Sequence, residues 1–147
     1  MKIPQDKLTY NIYVISRCTH KFFAREMKKI GVTLGQFSFL LEIHQHPGIS
    51  QEKLSGQLMI SKSTTASIIR QLLESGLIRR ITDPDDKRNY NLSLTEKGKI
   101  LIPEIEKTIQ VCHEKMTDGM TPSEQTHAFS QIARIRENAV KNLKKRK

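Results

Sequence analysis

The stretch around Ser50 and Ser61 constrains this chain more than any other. Ser50 is placed to cap a short helix over Gln51 to Leu58, and Ser61 to cap another over residues 62–75. A serine at an N-cap accepts a hydrogen bond from a backbone N–H that the first helical turn leaves without a partner. Only Met59 and Ile60 separate the first helix from the second cap, and Gly76 ends the second helix. Two short helices joined by so tight a turn form the outline of a helix-turn-helix.

The period of the sequence then changes. Residues 77–82 (LIRRIT) and 89–94 (NYNLSL) read as strands, separated by Asp83-Pro84-Asp85-Asp86-Lys87-Arg88, a segment of turn formers and charge. A β-ribbon directly after the second helix is a wing. Upstream, residues 7–30 carry Leu8, Ile12, Ile15, Phe22, Met27 and Ile30 near helical spacing, with Gly31 as a C-terminal stop. Thr33 and Gln36 form a capping box for the next helix, whose buried stripe is Leu34, Phe37, Leu40 and Leu41 and which ends at Pro47-Gly48. Downstream, Thr95 caps a helix to about Thr117, where Pro103 predicts a kink near Ile102. Thr121-Pro122-Ser123-Glu124 opens the last helix with N-cap, N1 proline and N3 glutamate. The expected fold is mainly α: six helices and a two- to three-stranded β-wing.

The helix after Ser61 has two faces. Steps of about 100° per residue put Thr65, Ile69, Leu72 and Leu73 on one side and Ser63, Thr64, Ser67, Arg70 and Gln71 on the other. Small hydroxyl residues at the start of a helix let it lie deep in a major groove, where free N–H groups help it meet phosphates. Gln71 has the donor and acceptor to read adenine, and Arg70 suits guanine or a phosphate. By itself this is also the pattern of a solvated helix face. The tight turn before it and the ribbon after it favour a reader of DNA. With Ser61 and Lys62 at the helix start and Arg79 on the first strand, these residues are the candidate contacts.

Residues 61–98, SKSTTASIIRQLLESGLIRRITDPDDKRNYNLSLTEKG, resemble the MarR-type regulators. The most specific part is Asp83-Pro84 with Asp86-Lys87-Arg88, followed by Leu94-Thr95-Glu96-Lys97-Gly98. The resemblance implies a winged helix-turn-helix over 33–95, dimerisation helices over 1–32 and 96–147, and a homodimer on a pseudo-palindromic operator in double-stranded DNA. It also implies that Arg88 enters the minor groove and that Asp86 orients it by a salt bridge, with Lys87 beside them. A guanidinium on a thin ribbon suits a narrow, electronegative minor groove; the same segment would also serve as a plain surface turn. Many members carry arginine where this chain has Ser67, and threonine or valine where it has Ala66, which leaves the operator sequence open.

Related proteins commonly take aromatic or phenolic acids between the dimer helices and the reader, weakening DNA binding. Tyr13, Arg17, His20 and Lys21 offer an aromatic-plus-cation lining for such an anion; they equally fit an ordinary exposed helix face. The register of the family's peroxide-sensing cysteine lands on Thr9. Phe37 and Ser38 stand where its zinc sensors place ligands, so no metal and no cofactor is expected. Cys18 and Cys112 are far apart, with no zinc spacing, and read as two buried or half-buried thiols, a redox role being the alternative.

A net charge of +10 points to an anionic partner, although the excess sits at the two ends of the chain. It leaves a rival open: an architectural protein binding DNA without sequence preference. No apolar run approaches the roughly 18–20 residues needed to span a bilayer, and residues 1–6 lead into no signal-type stretch, so a cytoplasmic protein without a membrane partner is expected. No phosphate-binding glycine loop or nucleophile motif occurs, and glycine is sparse, with 7 residues; an enzyme is not expected.

Overall fold

A computed structural model of the 147-residue chain describes residues 7–88 and 90–143. The leader expectation for residues 1–6, the strand start at Asn89 and the basic run at 144–147 lie outside the described residues. The elements follow in the order α1 (Leu8–Lys29), α2 (Leu34–Gln45), β1 (Ile49–Ser50), α3 (Gln51–Leu58), α4 (Lys62–Glu74), β2 (Ile78–Thr82), β3 (Tyr90–Leu94), α5 (Glu96–Met116) and α6 (Pro122–Leu143). The chain divides into two compact units, one ending at Gln110 and one beginning at Val111, and the division falls within α5.

The first unit holds the main core. Phe39, Leu40 and Ile43 of α2, Leu54 of α3, Ile69 and Leu72 of α4, Leu92 and Leu94 of β3, and Ile102 and Ile105 of α5 pack into one cluster with Met27 and Val32. Burying each such side chain contributes about 1.5–3 kcal/mol, so α4 is fixed from behind by its apolar face. The capping box predicted at α2 is formed, with Gln36 Oε1 accepting from the Thr33 N–H at 3.0 Å. Helix α5 runs on through Pro103, which has no N–H to give to the preceding turn.

The sheet is antiparallel in the order β1-β3-β2. Ile78 faces Leu94 and Thr82 faces Tyr90 across the wing, while Ile49 faces Leu92 on the other edge. The segment Ile49–Ser50 was not legible as a strand in the sequence. It is two residues long, squeezed between the Pro47-Gly48 turn and the cap of α3, and carries no alternating pattern of its own. The Gly48 N–H donates to the Leu92 carbonyl at 2.9 Å and extends the pairing.

The wing is clamped at its base. Gly76 takes φ +69°, a conformation that costs glycine nothing, and turns the chain out of α4. The Thr95 hydroxyl donates to the Gly76 carbonyl at 2.6 Å, the Thr95 N–H to the Leu77 carbonyl at 3.1 Å, and Lys97 Nζ to the Ser75 carbonyl at 2.7 Å. Gly98 sits so close that a Cβ there would lie 2.2 Å from the Leu77 carbonyl oxygen.

In the second unit, Glu124 Oε2 accepts from the Thr121 N–H at 2.7 Å and Thr121 Oγ1 accepts from the Glu124 N–H at 3.3 Å, the predicted reciprocal cap. Hydrogen bonding from Thr121, its backbone N–H first and its hydroxyl second, holds the Glu124 carboxyl below the usual carboxylate range. The His113 and Phe129 rings pack in a tilted arrangement, 45° between their planes and 5.1 Å between ring centres. No residue of α6 is buried, and Phe129, Ile132, Val140 and Leu143 are exposed. In the first unit α1 buries only Met27 and exposes Leu8, Ile12, Tyr13, Val14 and Ile15. Cys112 is buried, and burial pushes its thiol pKa up. Cys18 is exposed, against the expectation of a buried or half-buried thiol, and follows a stretch of α1 whose Leu8, Ile12, Val14 and Ile15 are exposed as well.

The close approach at Gly98 gives a direct check. Gly98→Ala should lower the stability of the protein by about 1–3 kcal/mol, because the added methyl meets backbone rather than a movable side chain. Chemical denaturation monitored by circular dichroism measures it. An unchanged midpoint would show that the base of the wing yields freely.

Candidate nucleic-acid interface

The turn between α3 and α4 is built by two residues. Met59 takes a left-handed conformation (φ 53°, ψ 38°), unusual for a side chain of its size, and its N–H donates to the carbonyls of Ser55 and Gly56. The Ile60 N–H donates to the Ser55 carbonyl at 3.1 Å while the Ser55 hydroxyl donates back to the Ile60 carbonyl at 2.8 Å. This reciprocal pair closes the turn and sets where α4 begins.

Helix α4 then starts on a cluster of hydroxyls. Ser61 Oγ accepts from the Thr64 N–H at 3.2 Å, as the sequence predicts, and donates to Thr64 Oγ1 at 2.8 Å; Ser63 Oγ lies 3.2 Å from Ser61 Oγ. The two faces read from the periodicity are present: Thr65, Ile69 and Leu72 are buried, Leu73 is half-buried, and Ser63, Thr64, Ser67, Arg70 and Gln71 are exposed. Ser61 and Lys62 are exposed as well, so the candidate residues of α4 form one continuous polar edge.

Gln71 is tied to the scaffold. Its Oε1 accepts from Nε2 of the buried Gln36 at 3.4 Å, and Gln36 is itself held by the capping box of α2. Part of its hydrogen-bonding capacity is therefore spent within the chain. Gln36 escaped the sequence reading as a site residue because a capping box accounts fully for a glutamine at that spacing.

The wing carries the rest. Arg79, Asp86, Lys87 and Arg88 are all exposed. Asp86 Oδ1 accepts from the Arg88 N–H at 3.0 Å, and Asp83 Oδ1 from the Asp85 N–H at 2.9 Å. Both are local turns in which an aspartate fixes the backbone two residues on. Asp86 thus shapes the backbone that presents Arg88. The Arg80 guanidinium lies over the Tyr90 ring, 5.3 Å from its centre, a pairing across the two strands that was not foreseen.

Of the four candidate effector residues, His20 lines a cleft of about 480 Å³ together with Phe23, Leu34, Phe37 and Ile60. Tyr13, Arg17 and Lys21 are exposed on α1. The His20 ring nitrogen Nδ1 lies 2.7 Å from the Ser16 carbonyl oxygen, which fixes the ring.

The MarR family profile matches residues 32–90. The chain is 31% identical over 127 residues to the uncharacterized HTH-type transcriptional regulator YybA of Bacillus subtilis, spanning 86% of this chain and 85% of that one. A MarR-family regulator from Listeria monocytogenes solved with 26mer DNA is 30% identical with a TM-score of 0.87, over 97% of this chain and 92% of that one. The crystal structure of MarR superposes with a TM-score of 0.83 at 31% identity, over 96% of both chains.

Removing the cap of α4 should be felt locally. Ser61→Ala takes away the acceptor for the Thr64 N–H and should cost about 0.5–2 kcal/mol of stability. Amide exchange of the first turn of α4 would rise with it; exchange and stability both unchanged would mean that Ser61 is no cap.

Proposed function

The chain belongs to the MarR family of DNA-binding transcriptional regulators, and on that premise we propose that it acts as a homodimer reading a pseudo-palindromic operator in duplex DNA. The observation that carries this reading is the exposed hydroxyl and cationic edge of α4, held from behind by a packed core and flanked by a clamped wing. Its first turn enters the major groove, with Ser61, Lys62, Ser63 and Thr64 at phosphates and Ser67 and Arg70 at base edges. Gln71, held by Gln36, offers its amide N–H groups outward. Arg88 reaches the minor groove, Lys87 and Arg79 meet phosphates, and Asp86 presents Arg88 through the backbone. The relative solved with 26mer DNA supports DNA as the partner.

The second copy covers the apolar residues that α1 and α6 expose. Two-fold symmetry then places the two reader helices in successive major grooves, about one helical turn or roughly 10 bp apart. The dimerisation segments are 1–32 and 96–147, and the reader is 33–95. The protein represses its target, and a small aromatic acid in the cleft beside His20 releases it; that cleft adjoins Gly35 and Phe37, next to the Gln36 that braces the reader.

Salt provides the first check. A dimer neutralising about 6–10 phosphates should lose about 10³–10⁵ in affinity between roughly 50 and 200 mM salt. A flat titration would rule out backbone neutralisation, and sedimentation of a well-folded monomer at micromolar concentration would rule out the dimer.

The wing provides the second. Arg88→Ala should weaken operator binding by about 1–3 kcal/mol per half-site while leaving the melting temperature nearly unchanged, because the side chain is exposed. Lys87→Ala should weaken operator and random duplex about equally. If both variants behave alike on both DNAs, the wing is a general basic surface and Arg88 has no oriented role.

A further inference from the structure

Gln36 and Gln71 link a buried residue to the exposed edge of α4, and the order of their bonds leaves neither amide free to turn over. An amide side chain has an oxygen that accepts and a nitrogen that donates, and its partners decide which end faces where. The Thr33 N–H can only donate, so it takes Gln36 Oε1, at 3.0 Å. Gln36 Nε2 is thereby turned toward α4, where it donates to Gln71 Oε1 at 3.4 Å. This second bond is long, and its direction is set by the first. Gln36 is only 8% exposed, where an amide without partners would be costly. The two helices also meet next door: a Cβ on Gly35 would lie 3.5 Å from Ile68 Cδ1, so the start of α2 rests against the middle of α4.

What Gln71 can offer follows from this. Among the described residues its side chain has one hydrogen bond, and that bond engages the oxygen. The free end is the Nε2 amino group, with donors and no acceptor. Long side chains on a helix lean over the turn on their N-terminal side. For Gln71 that turn carries Ser67, which is short and exposed. A glutamine that reads adenine needs oxygen and nitrogen side by side, the oxygen taking the N6 amino group and the nitrogen giving to N7. With the oxygen turned to Gln36, that fork is lost. Guanine is the base whose major-groove edge carries two neighbouring acceptors, O6 and N7, and no donor.

We propose that Gln36 is a positioning residue for base recognition: by holding the oxygen of Gln71 it makes this point of α4 a donor, and Gln71 selects guanine in place of the adenine that an unheld glutamine favours. The inference rests on the DNA reading proposed above. It adds to that reading a base, and a buried residue behind the edge that sets the choice.

The test is selection of bound duplexes from a random pool by the full-length protein, with sequencing, for the native chain and three variants. Gln71→Ala marks the position that Gln71 reads, where one preference per half-site is lost. Guanine is expected there in the native selection, over adenine by about fivefold, the worth of one hydrogen bond. Gln36→Glu keeps an oxygen for the Thr33 N–H, and so keeps the cap, but faces Gln71 with a second acceptor. The Gln71 amide then turns over, and the preference moves to adenine or cytosine, the bases with an amino donor. Gln71→Glu keeps the bond from Gln36 and leaves no donor outward, which moves the preference to cytosine. A generally loosened helix would weaken all positions together and reverse none.

Adenine in the native selection, no position lost in Gln71→Ala, or the same base in native and Gln36→Glu overturns the proposal and leaves the DNA reading standing. Guanine retained in Gln71→Glu overturns it as well, a readout that does not need Gln36→Glu to fold. A native pool with no enriched sequence overturns the reading of an operator and this inference with it. Amide NMR without DNA checks the link by itself: the Gln36 side-chain amide signals should move in Gln71→Ala, and unmoved signals overturn the proposal whatever the DNA does.

Discussion

The contact between Gly98 and the Leu77 carbonyl fixes the relation of the wing to the helix it serves. Leu77 follows the turn out of α4, and Gly98 lies in the first turn of α5. Only a residue without a side chain lets these backbones meet, and Thr95 uses the approach by bonding both Gly76 and Leu77. The two strands of the wing therefore leave and re-enter the fold at one junction. Loosening it would leave α4 packed on its core while the basic tip of the ribbon lost its bearing.

Behind that junction, hydrophobic burial and local hydrogen bonds divide the labour. Ile69 and Leu72 anchor α4 by its apolar face, which sets the helix in place without specifying its start. The start is specified by Ser61 and by the Ser55–Ile60 pair, polar contacts of modest individual strength. The exposed polar edge of α4 is thus positioned by a core packed behind it and registered by hydroxyls lying beside it.

Much of this was legible in the sequence because the signals were local. Caps at Ser50, Ser61, Thr33 and Thr121 act within three residues, and the two faces of α4 follow from its period alone. The segment Leu94-Thr95-Glu96-Lys97-Gly98 was legible as a pattern but not as a mechanism, since its partners lie at residues 75–77. The same distance hid Gln36, whose second role depends on Gln71 thirty-five positions away. Strand β1 was too short to show a period. The exposure of Cys18 was hidden for a similar reason: an apolar stripe on a helix does not say which of its residues the fold buries.

The strand order β1-β3-β2 also sets a sequence of events during synthesis. Both helices of the reader leave the ribosome before β3, the strand that joins the α2–α3 connection to the ribbon. Until β3 arrives, Ile49 has no Leu92 to pair with and Ile78 no Leu94. A nascent chain halted just past α4 therefore carries both helices of the reader without their floor, and closing that floor is a long-range step of the kind that sets the pace of folding.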